Sequence, residues 1–234
     1  MQYVKIRNAI IEQIDAGMLS SGQKLPPERK LAESFGTTRV TLREALSLLE
    51  AEGRIFREDR RGWFISPLPL HFDLSRQVSI EQLAVEQQRA FQVSVGEVKS
   101  MLANQQAAEL MHLPPFSDVM SIERTHFLDK RPVAFAMHYT RLDRFTNLAA
   151  GEWQGALLDI YQQQFSFKPH QIRYRVRPSS LVGDIAQVLR ATEGSAALLI
   201  ERFYCDSDGT VCCVDIEYWR HDAILLQAQA DQSP

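Results

Sequence analysis

Apolar residues recur at the spacing of an α-helix in two segments near the start of the chain. Residues 3–16 predict a first helix that Gly17 ends. After a loop rich in Gly and Pro, a short second helix precedes Gly36, a residue suited to the tight turn that follows. The apolar residues on the inner faces are Val4, Ile10, Ile11 and Ile14 in the first helix and Leu31, Ala32 and Phe35 in the second.

A third helix is predicted from residue 39 until Gly53 ends it, with Thr37 or Thr38 as its N-cap. Two short helices joined by a tight turn form a helix-turn-helix. The inner face of the third helix is predicted to hold Leu46, Leu49 and either Val40 or Leu42.

Two strand-like runs, RIFRED at 54–59 and GWFISP at 62–67, predict a hairpin after the three helices. Side chains in the first turns of the third helix can approach bases and phosphates in a major groove, and arginines on the second helix and the hairpin can reach flanking phosphates. The candidate DNA-contacting residues are Arg29, Thr38, Arg39, Thr41, Arg43, Arg61 and Gly62.

The alternative interpretation is that these arginines form an ordinary solvated surface. Acidic residues lie among them and could neutralise them through surface pairs, which contribute little to stability. The order of the elements, three helices and then an arginine-tipped hairpin, favours the DNA-binding interpretation. The neighbouring acids are Glu28, Glu33, Glu44, Glu58 and Asp59.

The segment LPPERKLAESFGTTRVTLREALSLLEAEG resembles the signature of the GntR superfamily of transcription regulators, and the resemblance covers residues 1–67. It implies a winged helix-turn-helix DNA-binding domain over that range. It also implies that DNA is contacted by Arg29, Arg39, Thr41, Arg43 and the pair Arg61-Gly62.

Strand and helix patterns then alternate along the rest of the chain. A connector is predicted at 68–78 and a second domain at 79–234. This pattern predicts an α+β domain built on an antiparallel sheet. Its predicted strands lie near 93–102, 119–127, 132–140, 197–204 and 211–219, and its helices at 103–111, 153–165 and 179–191.

The segments IERTHFLDKRPVAFAMHY and ALLIERFYCDSDGTVCCVDIEYWRHD resemble the effector-binding domain called UTRA, found in the HutC-type branch of the GntR superfamily. The resemblance implies a chorismate lyase-like fold that binds a small effector. DRRGWFISP and DIEYWRHD also resemble segments of the regulators of phosphonate utilisation. These regulators respond to 2-aminoethylphosphonate or a close relative.

Strand alternation and the resemblance together select candidate effector ligands. Alternation along VCCVDIEYW places two carboxylates beside Trp219, an arrangement suited to an ammonium group. The resemblance implies Arg124 as the contact to a phosphate or carboxylate, with His126 on the same strand face and the Ser79 hydroxyl nearby. The complete candidate set is Ser79, Arg124, His126, His138, Arg175, Asp215, Glu217 and Trp219.

Each of these residues also has an ordinary structural interpretation. The alternating triplet Arg173, Arg175 and Arg177 could form a solvated sheet face. Asp215 and Glu217 could pair with that triplet across the sheet, which would leave no charge for a ligand. Trp219 and His138 could be core or interface residues.

Charge and composition indicate which partners and which location to expect for the chain. The net charge of the chain is −3, but residues 1–67 hold 11 Lys and Arg against 9 Asp and Glu, so the first domain is the more basic part. The three cysteines and six histidines show no metal-ligand spacing, so neither a metal site nor a cofactor is expected. No apolar run is long enough to span a membrane and no signal peptide is evident, so we expect a cytoplasmic protein.

We therefore expect an effector-controlled repressor that binds operator DNA as a homodimer. An enzyme is the alternative from another class, because the second fold is shared with a lyase, but no nucleophile elbow or phosphate loop is present. A role as an activator also stays open. So does an effector that is a sugar phosphate or an amino-acid derivative.

Overall fold

The structure is a computed structural model that describes residues 1–145 and 153–230 of the 234-residue chain. The last residues of the second predicted domain, 231–234, lie outside the described part. The helices are α1 (Gln2–Asp15), α2 (Glu28–Ser34), α3 (Arg39–Ala51), α4 (Ile80–Glu86), α5 (Gln105–Met111), α6 (Leu157–Phe165) and α7 (Gly183–Val188). The strands are β1 (Ile55–Glu58), β2 (Gly62–Ile65), β3 (Leu70–Asp73), β4 (Phe91–Leu102), β5 (Asp118–Leu128), β6 (Arg131–Arg141), β7 (Gln171–Leu181), β8 (Ser195–Cys205), β9 (Val211–Arg220) and β10 (Ile224–Gln227).

The first three helices and the β1–β2 hairpin pack around one apolar cluster, which forms a winged helix-turn-helix. Of the two residues proposed for the inner face of α3, Leu42 is fully buried and Val40 is 69% exposed. Thr38 is the N-cap of α3, because its hydroxyl oxygen accepts a hydrogen bond from the Thr41 N–H at 3.2 Å. The predicted winged helix-turn-helix is confirmed. The placement of Val4 on the inner face of α1 is wrong, because Val4 is 36% exposed while Ile6 is buried in the cluster.

The second part of the chain is a six-stranded sheet with the strand order β4-β5-β6-β9-β8-β7, in which all neighbouring strands are antiparallel. Helices α4 and α6 pack on one face of the sheet, and α5 and α7 pack on the other. The α+β prediction is confirmed. In the described part of the chain, no helix is long and apolar enough to cross a membrane.

The connector predicted at 68–78 contains a strand that the sequence pattern missed. Strand β3 pairs in parallel with β10, near the other end of the second domain. Leu70 and Phe72 are fully buried in the cluster that also contains Trp219. Prolines precede this four-residue strand, which is why its pattern resembles a loop.

Two predicted helices are shorter than expected. The helix predicted at 179–191 covers only Gly183–Val188, because residues 179–181 continue β7 and pair with residues 195–197 of β8. The helix predicted at 153–165 begins at Leu157. The residues before it form a turn in which the Gly155 carbonyl oxygen accepts a hydrogen bond from Arg124 of β5.

Replacing Leu42 by Ala should lower the free energy of unfolding by about 2–5 kcal/mol, because it leaves a cavity in the core of the first domain. Val40→Ala on the same helix should change it by less than about 0.5 kcal/mol. Urea unfolding followed by circular dichroism measures both values. Equal losses in the two variants would contradict the inner face assigned to α3.

Candidate functional site

A cavity lies on the face of the six-stranded sheet that α4 and α6 cover. Its floor is formed by side chains of β5, β6, β8 and β9, and its rim by the N-terminal ends of α4 and α6. Of the eight candidate effector residues, the structure brings together the following six around it: Ser79, Arg124, His126, His138, Asp215 and Glu217.

Arg124 is the cation of this cavity that has no carboxylate partner within the described residues. It is 5% exposed, and its Nη2 donates to the carbonyl oxygen of Gly155 at 2.8 Å. Its Nε has no hydrogen-bond partner in the described part of the chain. Burial lowers the pKa of Arg124, against the opposing effect of Asp215 and Glu217. A buried guanidinium with a free donor is suited to bind an anion.

The register of the sheet explains why Arg124 lacks a partner. Arg124 on β5 is paired with Ala136 on β6, and Ala136 is paired with Glu217 on β9. Directly paired residues on neighbouring strands have adjacent side chains on the same face. The uncharged Ala136 side chain therefore separates the guanidinium from the carboxylate.

The carboxylate of Asp215 has two hydrogen-bond partners on the cavity face of the sheet. One carboxylate oxygen lies 2.6 Å from Nδ1 of His138, and the other accepts a hydrogen bond from the Tyr204 hydroxyl at 2.6 Å. Burial alone would raise the pKa of Asp215, but His138, Arg202 and Tyr204 lower it to about 2. Asp215 is therefore an ionised group whose hydrogen-bonding capacity is largely used within the protein.

Glu217 is also paired within the protein. It accepts hydrogen bonds from Arg202 Nη2 at 3.3 Å and from Trp219 Nε1 at 2.7 Å. The contacts of Asp215 and Glu217 therefore do not support the interpretation that the two carboxylates together bind an ammonium group. The alternative that both pair with the arginine triplet of β7 is also not supported.

The two cavity histidines each present a ring nitrogen without a partner among the described residues, Nδ1 of His126 and Nε2 of His138. His126 packs edge-on between Phe91 and Trp219, with ring centroids 5.5 Å and 6.0 Å away. Burial, followed by the charge of Arg124, lowers the pKa of His126 well below its usual value. The His126 ring is therefore neutral, and its Nδ1 can donate one hydrogen bond to a ligand or accept one from it, depending on the tautomer.

Ser79 and Trp219 lie at the edge of this arrangement. Ser79 is the N-cap of α4, where its hydroxyl oxygen accepts from the Gln82 N–H at 3.1 Å, and it lines the cavity. Trp219 is fully buried behind the cavity and orients Glu217 and His126 rather than lining the cavity itself.

Arg175 does not lie at the cavity. It is on the edge strand β7, on the sheet face that α5 covers, and it forms an ion pair with Glu201 at 3.3 Å. Arg177 approaches the same carboxylate at 3.9 Å. The alternation of the triplet was recognised correctly, but alternation alone does not specify which face an edge strand turns toward a ligand.

Sequence reasoning missed several cavity residues. Arg202 and Tyr204 alternate on β8 and pair in register with Asp215 and Cys213 of β9. Alternation within RFYC could have indicated them once that register was known. Other missed residues are Glu81, Phe91 and the start of α6 at 156–158.

Most of the candidate DNA-contacting residues are exposed on the first domain, whereas Thr41 and Gly62 are partly buried. Thr38 and Arg39 open α3, and Arg39 has no side-chain partner in the described part of the chain. Gly62 opens β2 with φ +101°, a conformation that other residues rarely adopt. The wing tip can therefore keep its sharp turn beside Arg61.

Three of the arginines in this set have acidic neighbours, as the alternative interpretation expected. Arg29 pairs with Glu33 at 3.2 Å, and Arg61 pairs with Glu58. Arg43 Nε donates to Glu28 at 2.8 Å, and Glu28 also accepts from Trp63 Nε1 at 3.2 Å. The side chains of Arg29, Arg43 and Arg61 are still 57–66% exposed, so they remain accessible to a phosphate.

The cysteines and acidic residues offer no metal site within the described residues, where no group of three or more His, Cys, Asp or Glu could hold a metal ion. The three cysteines are buried and unpaired with one another.

A winged helix-turn-helix joined to a domain with a buried charged cavity defines a transcription regulator, and this class is supported by comparison with known proteins. Residues 2–65 match the family model of bacterial regulatory proteins, gntR family, and residues 86–224 match that of the UTRA domain. The chain belongs to the gntR family and carries a UTRA domain. It is a regulator and not an enzyme.

Similar proteins include the uncharacterized HTH-type transcriptional regulator YihL of Escherichia coli, which is 29% identical over 90% of this chain and 89% of its own length. The HTH-type transcriptional repressor NagR of Bacillus subtilis is 24% identical over 89% and 86%. The crystal structure of PhnF from Mycobacterium smegmatis superposes with a TM-score of 0.67 at 19% identity, covering 97% of this chain and 100% of that chain. The last comparison supports the fold alone.

Replacing Asp215 by Asn should lower the free energy of unfolding by about 3–5 kcal/mol at neutral pH, because buried His138 loses its carboxylate partner and the Tyr204 hydroxyl loses its charged acceptor. The pKa of Asp215 is about 2 in the folded protein, below the value of about 3.9 in an unfolded chain. Its stabilisation is therefore complete above about pH 4 and is lost as the pH falls toward 2.

Thermal unfolding of Asp215→Asn and wild type between pH 7 and pH 3 measures this difference. The exposed carboxylate Asp118, at the start of β5, provides the control Asp118→Asn. A destabilisation of Asp215→Asn that stays constant down to pH 3 would disprove the assigned charge.

Proposed function

We propose that this protein is a dimeric repressor that releases its operator when a small anionic effector enters the UTRA cavity. The observation that carries this proposal is Arg124, a buried guanidinium with a free Nε and no carboxylate partner within the described residues. An anion entering the cavity would supply the missing charge and hydrogen-bond acceptors. The regulator would act in the cytoplasm, where its DNA is accessible.

A phosphonate, with 2-aminoethylphosphonate as the first candidate, is the proposed effector. The resemblance of DRRGWFISP and DIEYWRHD to phosphonate-utilisation regulators supports this choice. The phosphonate oxygens would meet Arg124 and the free nitrogens of His126 and His138. Because Asp215 and Glu217 are already paired, the amine would turn toward Glu81 at the cavity mouth.

A sugar phosphate is the second candidate effector. A related Escherichia coli protein is 25% identical over 70% of this chain. It is described as a probable fructoselysine utilization operon transcriptional repressor, so its name points to a sugar derivative. In this chain, the place between Arg124 and Glu217 is taken by Ala136, which offers no acceptor for a sugar hydroxyl. The residues therefore favour a ligand with few hydroxyl groups.

We propose that the first domain binds operator DNA through α3 and the wing. Arg39 and Thr41 would approach the bases, with Thr38 at the N-terminus of the helix, while Arg29, Arg43, Arg61 and the backbone at Gly62 would contact phosphates. In a homodimer, two recognition helices about 34 Å apart would match an inverted repeat.

Calorimetric titration of the full chain with 2-aminoethylphosphonate tests the effector site. We expect wild type to bind and Arg124→Met to lose about 2–5 kcal/mol of binding free energy, because the buried anion loses its charged donor. Arg175→Met, a matched change on the opposite sheet face, should bind like wild type. Ethylphosphonate and glucosamine 6-phosphate are the comparison ligands.

Equal binding by the Arg124 and Arg175 variants would move the effector site away from this cavity. If glucosamine 6-phosphate binds through Arg124 and 2-aminoethylphosphonate does not, the cavity assignment stands and the sugar phosphate replaces the phosphonate. Equal affinity for 2-aminoethylphosphonate and ethylphosphonate would remove the proposed role of Glu81.

Arg39→Ala should weaken operator binding by about 1–3 kcal/mol without changing the thermal stability of the protein, because its side chain is exposed and has no partner in the described part of the chain. Arg177→Ala, in the second domain, is the control. An operator selected from random DNA with the full-length wild type allows fluorescence anisotropy to measure both. Unchanged affinity in Arg39→Ala would exclude this residue from the DNA contact.

A further inference from the structure

A buried charge cluster joins the two domains at the end of β9. The side chain of Asp222 is 1% exposed and accepts two hydrogen bonds from Arg131 Nη2, at 2.7 Å and 3.0 Å. The same carboxylate accepts from the hydroxyl of Ser66 at 3.0 Å. Ser66 directly follows the wing strand β2, so Asp222 ties the DNA-binding domain to the sheet domain.

Two arginines of the sheet domain also contact the wing. The Arg131 guanidinium lies 3.5 Å from the ring centroid of Phe56 on β1. Arg220 donates from Nη2 to the carbonyl oxygen of Arg57 at 3.1 Å and from Nη1 to that of Leu189 at 3.0 Å. We call Phe56, Arg131, Arg220 and Asp222 the junction cluster.

A second contact holds the far end of the recognition helix. The ring nitrogens of His221 lie 3.0 Å from the carbonyl oxygen of Ala196 and 2.7 Å from that of Glu50. Glu50 is in the last turn of α3, and its carbonyl oxygen also accepts a hydrogen bond from the Gly53 N–H at 2.9 Å. The position of α3 relative to the sheet is therefore fixed at its C-terminal end.

The elements that carry the junction cluster are also those that form the effector cavity. Strand β9 carries Asp215 and Glu217 in the cavity and ends at Arg220. Strand β5 carries Arg124 and His126, and its hairpin leads directly to Arg131 at the start of β6. A shift of either strand at the cavity would move an arginine of the junction cluster.

We propose that the junction cluster sets the orientation of the winged helix-turn-helix relative to the UTRA domain, with Asp222 as the central positioning residue. Asp222 neutralises two buried arginines from different strands and also accepts the Ser66 hydrogen bond. Without its charge, Arg131 and Arg220 repel each other beside Phe56, and the wing loses its fixed contact. This proposal depends on the two-domain fold and not on the identity of the effector.

A distance measurement between two spin labels in the full-length protein tests this role. Labels at Ser47→Cys on α3 and Gln106→Cys on α5 report the orientation of one domain relative to the other. The native cysteines are at most 2% exposed and should not take up label. Dilution with unlabelled chains restricts the signal to labels within one chain.

We expect a single narrow distance maximum in the doubly labelled parent protein. Asp222→Asn should lose that maximum and give a broad or shifted distribution, while the exposed control Asp118→Asn should keep it. If Asp222→Asn keeps the narrow maximum, the proposal is wrong. A merely stabilising role would lower the melting temperature without changing this distribution.

Milder variants keep the test decisive if Asp222→Asn fails to fold. Ser66→Ala removes one hydrogen bond to the carboxylate, and Arg131→Lys retains the charge but loses the planar contact with Phe56. At least one of them should broaden the distance distribution. Parent-like distributions in both variants would overturn the proposal.

Discussion

A charge buried in a protein interior is costly unless it is paired, and this constraint shapes the sheet domain. Asp215 is held by His138 and Tyr204, and Glu217 by Arg202 and Trp219, so β6, β8 and β9 are joined by side chains as well as by their backbone ladder. Removing one partner leaves an uncompensated charge, which costs more than the pair contributes. The pairing therefore specifies a single arrangement of the cavity floor. It also leaves Arg124 as the group available to a ligand.

The same rule operates at the boundary between the domains. Arg131 and Arg220 share the carboxylate of Asp222. Burial alone would raise the pKa of Asp222, but the charges of the two arginines lower it. The effector cavity and the domain boundary are thus two sites of paired charges that share strand β9. Trp219 lies between them on that strand. Allosteric coupling requires two sites and an element that both can bias, and the β5–β6 hairpin and β9 are physical candidates for that element.

The sequence predicted what depends on local pattern and missed what depends on register. The helix-turn-helix follows from apolar spacing, Gly turns and the Thr cap, so α1 to α3 and the wing were predicted closely. Alternation placed Asp215 and Glu217 on one face correctly, but their partners on β8 depend on which strands lie side by side. Arg175 was misplaced because an edge strand has two faces and its sequence does not distinguish them. Strand β3 was missed because its partner, β10, lies 154 residues further along the chain.

The pairing of β3 with β10 determines how the DNA-binding domain is tethered. Because β3 is locked into the second domain, the free connection runs only from Ile65 at the end of β2 to Leu70, a span of at most about 18 Å when fully extended. Pro67 and Pro69 stiffen it further. So short a connection keeps the recognition helix α3 close to the sheet domain. A change in the relative position of the two domains would therefore require rotation about this short connection rather than separation of the domains.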